Sequence, residues 1–254
     1  MSQQRRVALV TGSARRIGRA IVEDLAHAGF TVAIHCNRSR DEAEAVSAGI
    51  RARGGTAMVV TADLADLQSM PSILDKVAAV IGAPTLLVNN ASVFEEDGIG
   101  AFDAARFQRQ LAINLTAPVL LADAFAAALP AAEHGLVVNI VDQRAWKTTP
   151  YYMSYQLSKS ALLTATRTLA QALAPRIRVN AIGPGPTVPS PRQDVEDFRR
   201  QAEAVPLGHG PELAEFARTI LYLYETRSIT GQMIGLDGGQ HLAWETPDVV
   251  GIKE

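Results

Sequence analysis

The amino-acid sequence predicts an α/β fold in which helices cover both faces of a doubly wound parallel sheet. From the first residues onward, short runs rich in Val, Ile and Leu alternate with longer stretches that repeat apolar residues at i, i+3 and i+4. The short runs are apolar throughout, as expected for strands covered on both faces. No Pro/Gly/Ser-rich linker divides the chain. We therefore expect a single domain over residues 1–254.

The individual elements follow from this alternation. The predicted strands are residues 7–10, 31–35, 57–61, 86–89, 136–141 and 177–182. The predicted helices are residues 17–28, 41–53, 67–81, 102–129 and 155–174. Residues 183–191 are rich in Pro and Gly and follow a strand, where an open α/β sheet places its ligand crevice, so we interpret residues from about 184 to 210 as a substrate lid. Residues 192–203 are typical of a solvated helix face, and residues 240–254 form a C-terminal tail without a readable motif.

Composition and charge narrow the class of protein. The 254 residues are 48% apolar and 20% charged, with a formal net charge of -2, which argues against broad nucleic-acid binding. The longest apolar run has nine residues (124–132), against about 18–20 for a membrane span. The single cysteine, Cys36, has no partner for an intrachain disulfide, which suits a reducing compartment. We therefore expect a soluble, cytoplasmic protein without nucleic-acid or membrane partners.

Two kinds of site are disfavoured by the residues themselves. The five histidines are scattered along the chain and, with one cysteine, give no metal-ligand spacing, so we predict no metal. The sequence also lacks a Gly-x-Ser-x-Gly nucleophile elbow, which argues against hydrolase chemistry.

The segment from Thr11 to Gly18 (TGSARRIG) follows the first strand and opens the first helix. Such a turn points backbone N–H groups and the positive end of a helix at a phosphate, and its glycines let the ligand approach closely. Taken alone, two glycines six residues apart are equally typical of a structural turn. Together with the strand and the helix, the segment predicts a dinucleotide-binding turn formed by Gly12, Arg15, Arg16, Ile17 and Gly18.

The end of the second strand indicates which nicotinamide cofactor binds. An NAD-selective site usually carries Asp or Glu about 20 residues beyond the glycines, where it binds the ribose 2′-hydroxyl. Here the segment reads HCNRS, without an acid, and Arg38 lies 20 residues after Gly18. The Arg38 guanidinium and the Ser39 hydroxyl, with Arg15 and Arg16 on the neighbouring turn, suit a 2′-phosphate. The pattern favours NADPH over NADH, and the alternative is a solvated basic loop.

Tyr155 and Lys159 lie four residues apart at the start of a predicted helix. This spacing places the phenol and the ammonium on one helix face. We expect the ammonium to lower the pKa of Tyr155, which would make the tyrosine a usable proton donor near neutral pH. A Tyr-x-x-x-Lys pair is common, so by itself it identifies no enzyme.

Several motifs occur in an order and spacing that resemble those of short-chain dehydrogenases/reductases, and they span essentially the whole chain. They are Thr11 to Gly18, Asn89-Asn90-Ala91-Ser92, Asn114, Tyr155 with Lys159, Pro184-Gly185 and Leu236-Asp237-Gly238-Gly239. The resemblance implies a single Rossmann-like domain that assembles as a homotetramer. It also implies contacts to the cofactor from Asn90, Ala91, Ser92, Tyr155, Pro184 and Gly185. In the same way it assigns the adenine to Asp63 and Leu64, the nicotinamide ribose to Lys159, and the anchoring of the proton relay to Asn114.

Two departures from the usual family pattern are similar to pteridine reductases and bacterial dihydromonapterin/dihydrofolate reductases. Arg16 stands where the usual turn has glycine, and Asp142 stands where the usual catalytic serine precedes the tyrosine by 13 residues. The His-x-x-Arg-Ser segment that begins at His35 also fits that subgroup. The resemblance implies an NADPH-dependent reductase of a pterin or folate-like substrate, with Phe94 stacked on the pterin.

The chemistry of Asp142 agrees with this interpretation. An ionised carboxylate donates no hydrogen bond to a carbonyl oxygen, as a serine would, but beside Tyr155 it can relay or orient the proton that a C=N nitrogen needs. The alternative is that Asp142 only caps the following turn. A carbonyl reductase that tolerates Asp142 and a catalytically silent NADP-binding protein both stay open. Trp146, Tyr151 and Tyr152 either line the substrate pocket or pack against the lid.

Overall fold

In a computed structural model, which describes residues 6–70, 72–189, 193–246 and 248–251, seven strands form one sheet. Every neighbouring pair is parallel; for example, Val7 of the first strand lies opposite Thr31 of the second, and Ala8 lies opposite Leu86 of the fourth. The order is β3-β2-β1-β4-β5-β6-β7. The strands are β1 Val7–Val10, β2 Thr31–Cys36, β3 Ala57–Thr61, β4 Leu86–Asn89, β5 Gly135–Ile140, β6 Ile177–Pro184 and β7 Met233–Leu236.

Helices connect the strands and cover both faces of the sheet. They are α1 Arg16–His27, α2 Arg40–Ala52, α3 Ser72–Ile81, α4 Ala104–Leu111, α5 Ala117–Ala128, α6 Met153–Leu173, α7 Val195–Glu203 and α8 Leu213–Glu225. A π-helical segment, Ala112–Thr116, joins α4 to α5, and short 3₁₀ turns span Gln143–Ala145 and Gln240–Leu242. The predicted fold class is therefore confirmed.

Alternate residues of the strands feed two cores, one on each side of the sheet. In β1, Ala8 and Val10 pack with α1, α2 and α8, whereas Val7 and Leu9 pack with α3 and α5. Both sets are almost completely buried, which is why the strands are apolar throughout. The carboxyl ends of the strands carry the polar residues of the site.

The structure departs from the predicted elements at three points. The predicted helix 102–129 contains the π-helical segment, because an inserted residue widens one turn around Asn114. The sequence analysis also missed β7, whose residues are only half-buried, and the helix α8. Within the predicted solvated stretch, Val195–Glu203 form a helix without a buried residue.

Among the described residues, one helical stretch, Ala104–Ala128, is long and apolar enough to cross a membrane by length and composition. A core helix passes the same test. Leu121 and Phe125 of this stretch are fully buried against the sheet, which makes it a core helix.

Candidate functional site

A cleft of about 860 Å³ lies at the carboxyl edge of the sheet. Most of the predicted site residues line it together: Gly12, Arg15, Arg16, Ile17, Gly18, Asn90, Ala91, Ser92, Phe94, Asp142, Tyr155, Lys159, Pro184 and Gly185. Arg38, Ser39, Asp63, Leu64 and Asn114 do not belong to its lining. The cleft has the size and the position expected for a ligand site in an open α/β sheet.

Hydrogen bonds join the turn after β1 to the loop after β4. The Thr11 hydroxyl accepts from the backbone N–H groups of Asn90 and Ala91 at 2.9 and 3.0 Å. The Asn90 amide donates to the carbonyl oxygens of Thr11 and Gly12 at 2.9 and 3.0 Å. These bonds hold the two loops that form the floor of the cleft.

The two glycines of the turn are required by close approaches. Gly12 has a φ of +62°, and a Cβ added to it would lie 2.8 Å from the Cα of Ala91. A Cβ at Gly18 would lie 2.5 Å from the Asn90 amide nitrogen and from the Gly12 carbonyl oxygen. A side chain at either position would push the two loops apart.

The first turn of α1 is open to a ligand. Its N-cap residue, Arg15, makes no capping hydrogen bond with its side chain, and the first turn carries no acidic residue. The N–H groups at such a helix end combine with the helix dipole to favour an anion. The turn is thus suited to a phosphate, as its sequence predicts.

Arg16 occupies the position where the usual turn has glycine, and its φ is +54°. Its guanidinium donates to the carbonyl oxygens of Pro189 and Val188 at 2.7 and 3.1 Å. Both carbonyls belong to the described part of the predicted lid, of which residues 190–192 lie outside the described residues. Arg16 therefore connects the turn after β1 to the segment that was predicted to be the lid.

The predicted 2′-phosphate residues lie beside the cleft, just past the end of β2. Arg38 is exposed, and Ser39 is the N-cap residue of α2 without a side-chain capping bond. Arg15 pairs with Glu42 in the first turn of α2, and both side chains are substantially exposed. An exposed pair of this kind contributes little free energy, so a bound phosphate can compete for Arg15. The sequence analysis missed Glu42, which comes from the next helix and not from the strand end.

His35 fixes the geometry of this corner. It is buried at the end of β2, where its Nδ1 accepts from the Gly12 N–H at 3.1 Å and its Nε2 lies 3.2 Å from the Ala62 carbonyl. Burial lowers the pKa of His35 to about 4, so the ring is neutral and Nε2 donates. It joins the turn after β1 to the chain after β3, and nothing in its sequence pattern predicted this role.

Asp63 and Leu64 follow β3, on the far side of His35. Asp63 is exposed and its carboxylate accepts from the Ala65 N–H at 2.9 Å, within its own turn. Leu64 is 5% exposed and packs in the core that contains α3. Their contact with an adenine stays a prediction.

Asn114 lies behind the cleft in the π-helical segment, and it is buried. Its carbonyl oxygen accepts from the Val93 N–H and the Ser92 hydroxyl at 2.9 and 3.1 Å. Its amide nitrogen donates to the Val93 carbonyl and to the Ser158 hydroxyl at 2.9 and 3.1 Å. The side chain thus joins the loop after β4 to the helix that carries Tyr155, and a part in the proton relay stays a prediction.

Asp142 uses one oxygen for the backbone and the other for Tyr155. Its Oδ1 accepts from the Arg144 N–H at 2.8 Å, which caps the 3₁₀ turn, and its Oδ2 accepts from the Tyr155 hydroxyl at 2.8 Å. Asp142 therefore caps the turn and also contacts Tyr155, and its catalytic role stays a prediction. Lys159 is buried and donates to the Ile140 carbonyl at 2.7 Å, and its Nζ lies 5.6 Å from the centre of the Tyr155 ring.

The predicted lowering of the pKa of Tyr155 is wrong. Burial, followed by the Asp142 carboxylate, raises the pKa of Tyr155 well above its usual value. Burial also raises the pKa of Asp142, although the Arg144 N–H and the Tyr155 hydroxyl oppose this rise. Burial lowers the pKa of Lys159 to about 8, against a smaller opposing effect of Asp142. At neutral pH the tyrosine therefore holds its proton, because burial and Asp142 outweigh the opposing charge of Arg144.

Aromatic rings form the wall opposite the nucleotide turn. Phe94 stacks on Tyr152 with ring centres 4.2 Å apart, and its ring lies edge-to-face with Tyr155 at 4.6 Å. Of the three aromatic residues left open by the sequence, Tyr152 lines the cleft. Tyr151 is 72% exposed, and Trp146 is 40% exposed and packs on His241.

Several residues that line the cleft were not predicted from the sequence. Arg144 enters the cleft from the 3₁₀ turn after β5, and Phe198 and Gln201 enter it from α7. The α7 residues follow the Pro/Gly-rich stretch, and that proximity was the one available indication. Among the described residues, no group of three or more His, Cys, Asp or Glu side chains is arranged to hold a metal.

The resemblance found in the motifs extends to known proteins. A family model described as short chain dehydrogenase matches residues 6–199. Two solved structures of FolM alternative dihydrofolate reductase 1, from Brucella canis and Brucella suis and both in complex with NADP, are 60% identical to this chain, with a TM-score of 0.94. The matches cover 96% of this chain and 97% and 98% of those chains.

The name of a curated relative gives an activity other than dihydrofolate reduction. It is the 3-oxoacyl-[acyl-carrier-protein] reductase of Staphylococcus epidermidis, which is 28% identical over 240 residues, 92% of this chain and 98% of that protein. The family model covers more than half of this chain, and the predicted resemblance is confirmed. The chain belongs to the short-chain dehydrogenase family.

Proposed function

We propose that this protein is an NADPH-dependent reductase that acts on the C=N bond of a pterin-type substrate, such as a dihydropterin, dihydromonapterin or dihydrofolate. The observation that carries the proposal is the Asp142 carboxyl group, which accepts a hydrogen bond from the Tyr155 hydroxyl at 2.8 Å where the family usually has a serine. The 60% identity to two alternative dihydrofolate reductases in complex with NADP supports it.

The residues of the cleft fit NADPH, which supplies the hydride when bound. The uncapped first turn of α1 suits the pyrophosphate, with Arg16 beside it. Arg38 and Ser39 suit the 2′-phosphate at the end of β2. Lys159, a buried cation bonded to a backbone carbonyl, suits the ribose hydroxyls. Asn90, Ala91, Pro184 and Gly185 line the remaining walls.

The proton comes from the Tyr155–Asp142 pair. Reduction of a C=N bond adds a hydride to carbon and a proton to nitrogen, so the substrate needs one proton from the protein. Tyr155 keeps its proton at neutral pH because burial and Asp142 raise its pKa. Asp142, whose pKa burial also raises, orients the phenol and can replace the proton that Tyr155 delivers.

A carbonyl reductase is the second candidate, and the 3-oxoacyl reductase among the relatives favours it. For a carbonyl substrate, an ionised Asp142 would lack the hydrogen bond that a serine donates to the oxygen. A catalytically silent NADP-binding protein is the third candidate. We further propose a soluble homotetramer located in the cytoplasm, with the segment from about 184 to 210 acting as the lid.

The deciding experiment is an NADPH oxidation assay with dihydrobiopterin, dihydromonapterin, dihydrofolate, a ketone and a 3-oxoacyl thioester. We expect turnover of at least one pterin or folate, and we expect Asp142→Ser to lower its kcat at least about tenfold because the proton relay is lost. Turnover of ketones alone, with Asp142→Ser more active than the parent, would select the carbonyl reductase. Tight NADPH binding with no turnover, unaffected by Tyr155→Phe, would select the silent protein.

A second prediction concerns pH. Because burial lowers the pKa of Lys159 to about 8, the ammonium loses its charge as the pH rises through that value. We expect kcat/KM for NADPH, which reports the free enzyme, to fall about tenfold per pH unit above this point. Between pH 8 and 10.5, Lys159 is neutral in the folded protein but charged in the unfolded chain, so its contribution to the free energy of unfolding increases with pH. The loss of activity should therefore not come from unfolding, and a constant circular dichroism signal over this range is the control. A flat kcat/KM between pH 7 and 9 would contradict the prediction.

A third prediction separates the backbone of Arg16 from its side chain. The left-handed backbone costs an L-residue about 1 kcal/mol, so we expect Arg16→Gly to leave the melting temperature unchanged or slightly raised. Loss of the guanidinium should nevertheless raise the KM for NADPH about fivefold or more, since a charged donor beside the phosphates is removed. Arg16→Lys is the matched variant, with the strain and a charge retained. A clear fall in the melting temperature of Arg16→Gly would refute the assignment of strain.

A fourth prediction tests the 2′-phosphate site. Arg38→Ala should lower kcat/KM for NADPH about tenfold or more, as expected for one lost charged hydrogen bond, and should leave kcat/KM for NADH unchanged. Arg40→Ala is the control, because Arg40 is also exposed and lies two residues away, where it faces Glu44 at 3.9 Å. Equal losses with NADPH and NADH would remove Arg38 from the 2′-phosphate site.

A further inference from the structure

Arg144 is held at the catalytic end of the cleft by its backbone. Its N–H donates to the Asp142 carboxylate at 2.8 Å, and its carbonyl oxygen accepts from the Gln156 side chain of α6 at 2.8 Å. The residue is thus attached to the carboxyl group and to the helix that together carry the proton relay. Its side chain lines the cleft.

The guanidinium of Arg144 lies at the edge of the aromatic wall. Its central carbon is 5.5 Å from the centre of the Phe94 ring and 5.6 Å from that of Tyr152, within the range of cation–π attraction. Its positive charge also acts on the reacting groups, since it lowers the pKa of Asp142 and of Tyr155 against the larger effect of burial. Arg144 is therefore close both to the surface proposed to hold the substrate ring and to the proton donor.

The hydrogen-bonding capacity of this guanidinium is unused. Within the described part of the chain it donates no side-chain hydrogen bond and has no carboxylate within 4.0 Å, and its Nη1 is shut off from solvent without an acceptor. Leaving a buried donor unpaired costs about 1–3 kcal/mol, more for a charged group, and proteins pair nearly all such groups. An unpaired guanidinium in the wall of a cleft is the arrangement expected where the ligand brings the acceptor.

We propose that Arg144 determines substrate specificity by donating hydrogen bonds to acceptor atoms of the substrate's ring, an inference that rests on the proposed function. In a dihydropterin ring, the carbonyl oxygen and the nitrogen of the reacting C=N bond lie on the same edge, and both are acceptors. A planar guanidinium is suited to such an edge. A hydrogen bond to the carbonyl also withdraws electron density from the ring, which favours addition of the hydride to carbon.

The position of Arg144 favours the ring over a distant tail. Phe94, which the guanidinium contacts, lies edge-to-face with Tyr155 at 4.6 Å, so a group bound by Arg144 is next to the proton donor. The carboxylates of a folate tail would extend away from the reacting ring. The substrate class is therefore a conjugated heterocycle with a carbonyl beside the reduced C=N bond.

The test compares Arg144→Gln and Arg144→Lys with the parent. Lys147→Gln is the matched control, because Lys147 is an exposed cation in the same loop that donates to the Ala243 carbonyl outside the cleft lining. Steady-state kinetics are measured with dihydrobiopterin and dihydrofolate, and NADPH binding is measured separately by fluorescence. We expect Arg144→Gln to raise the KM for both substrates about tenfold or more, with a smaller rise for Arg144→Lys. The control and the NADPH dissociation constant should change less than about twofold.

Three outcomes would overturn the inference while the proposed function stands. An unchanged KM for both substrates would show that Arg144 does not bind the ring. A rise for dihydrofolate alone would assign Arg144 to the carboxylate tail. Weakened NADPH binding in Arg144→Gln would reveal a structural role. A parent protein that reduces neither substrate would instead overturn the proposed function.

Discussion

The reversal of strand order between β1 and β4 is the constraint on which the site depends. Within the sheet, β2 lies next to β1 on one side and β4 lies next to it on the other. The helices that follow β1 and β4 therefore cover opposite faces of the sheet, and a crevice forms at the carboxyl edge between them. Thr11 and Asn90 fix the width of this crevice through four hydrogen bonds. His35 and Asn114 then attach the neighbouring loops through further hydrogen bonds.

Desolvation governs the chemistry at the catalytic end. Burial raises the pKa of both Tyr155 and Asp142, and it lowers the pKa of Lys159 to about 8. The cations near the pair, Lys159 and Arg144, lower the pKa of Asp142 without cancelling the effect of burial. Tyr155 therefore keeps its proton at neutral pH while it donates to Asp142, which suits a substrate that must receive a proton more than one that needs a phenolate.

The sequence predicted the features that depend on local residue patterns. It did not predict the contacts between residues that are distant along the chain. The strands β1, β3 and β4 have the predicted bounds, because a continuous apolar run leaves few alternatives. The pKa of Tyr155 was predicted in the wrong direction, since spacing along a helix places Lys159 near the phenol but says nothing of burial. Glu42 and Arg144 were missed because each reaches its place from a neighbouring element, and no motif records that approach.

Strain is placed at the two ends of the cleft. In the described part of the chain, the residues other than glycine with positive φ are Arg16 at +54° and Tyr152 at +56°, and each stands at the start of a helix that lines the cleft. Glycine would adopt either conformation without steric strain, so the backbone conformation does not explain why these two side chains are present. Arg16 uses its guanidinium to reach the Pro189 and Val188 carbonyls, and Tyr152 stacks its ring on Phe94. The strain of about 1 kcal/mol at each site is therefore best explained by what the two side chains do in the cleft, one at the turn after β1 and one at the aromatic wall.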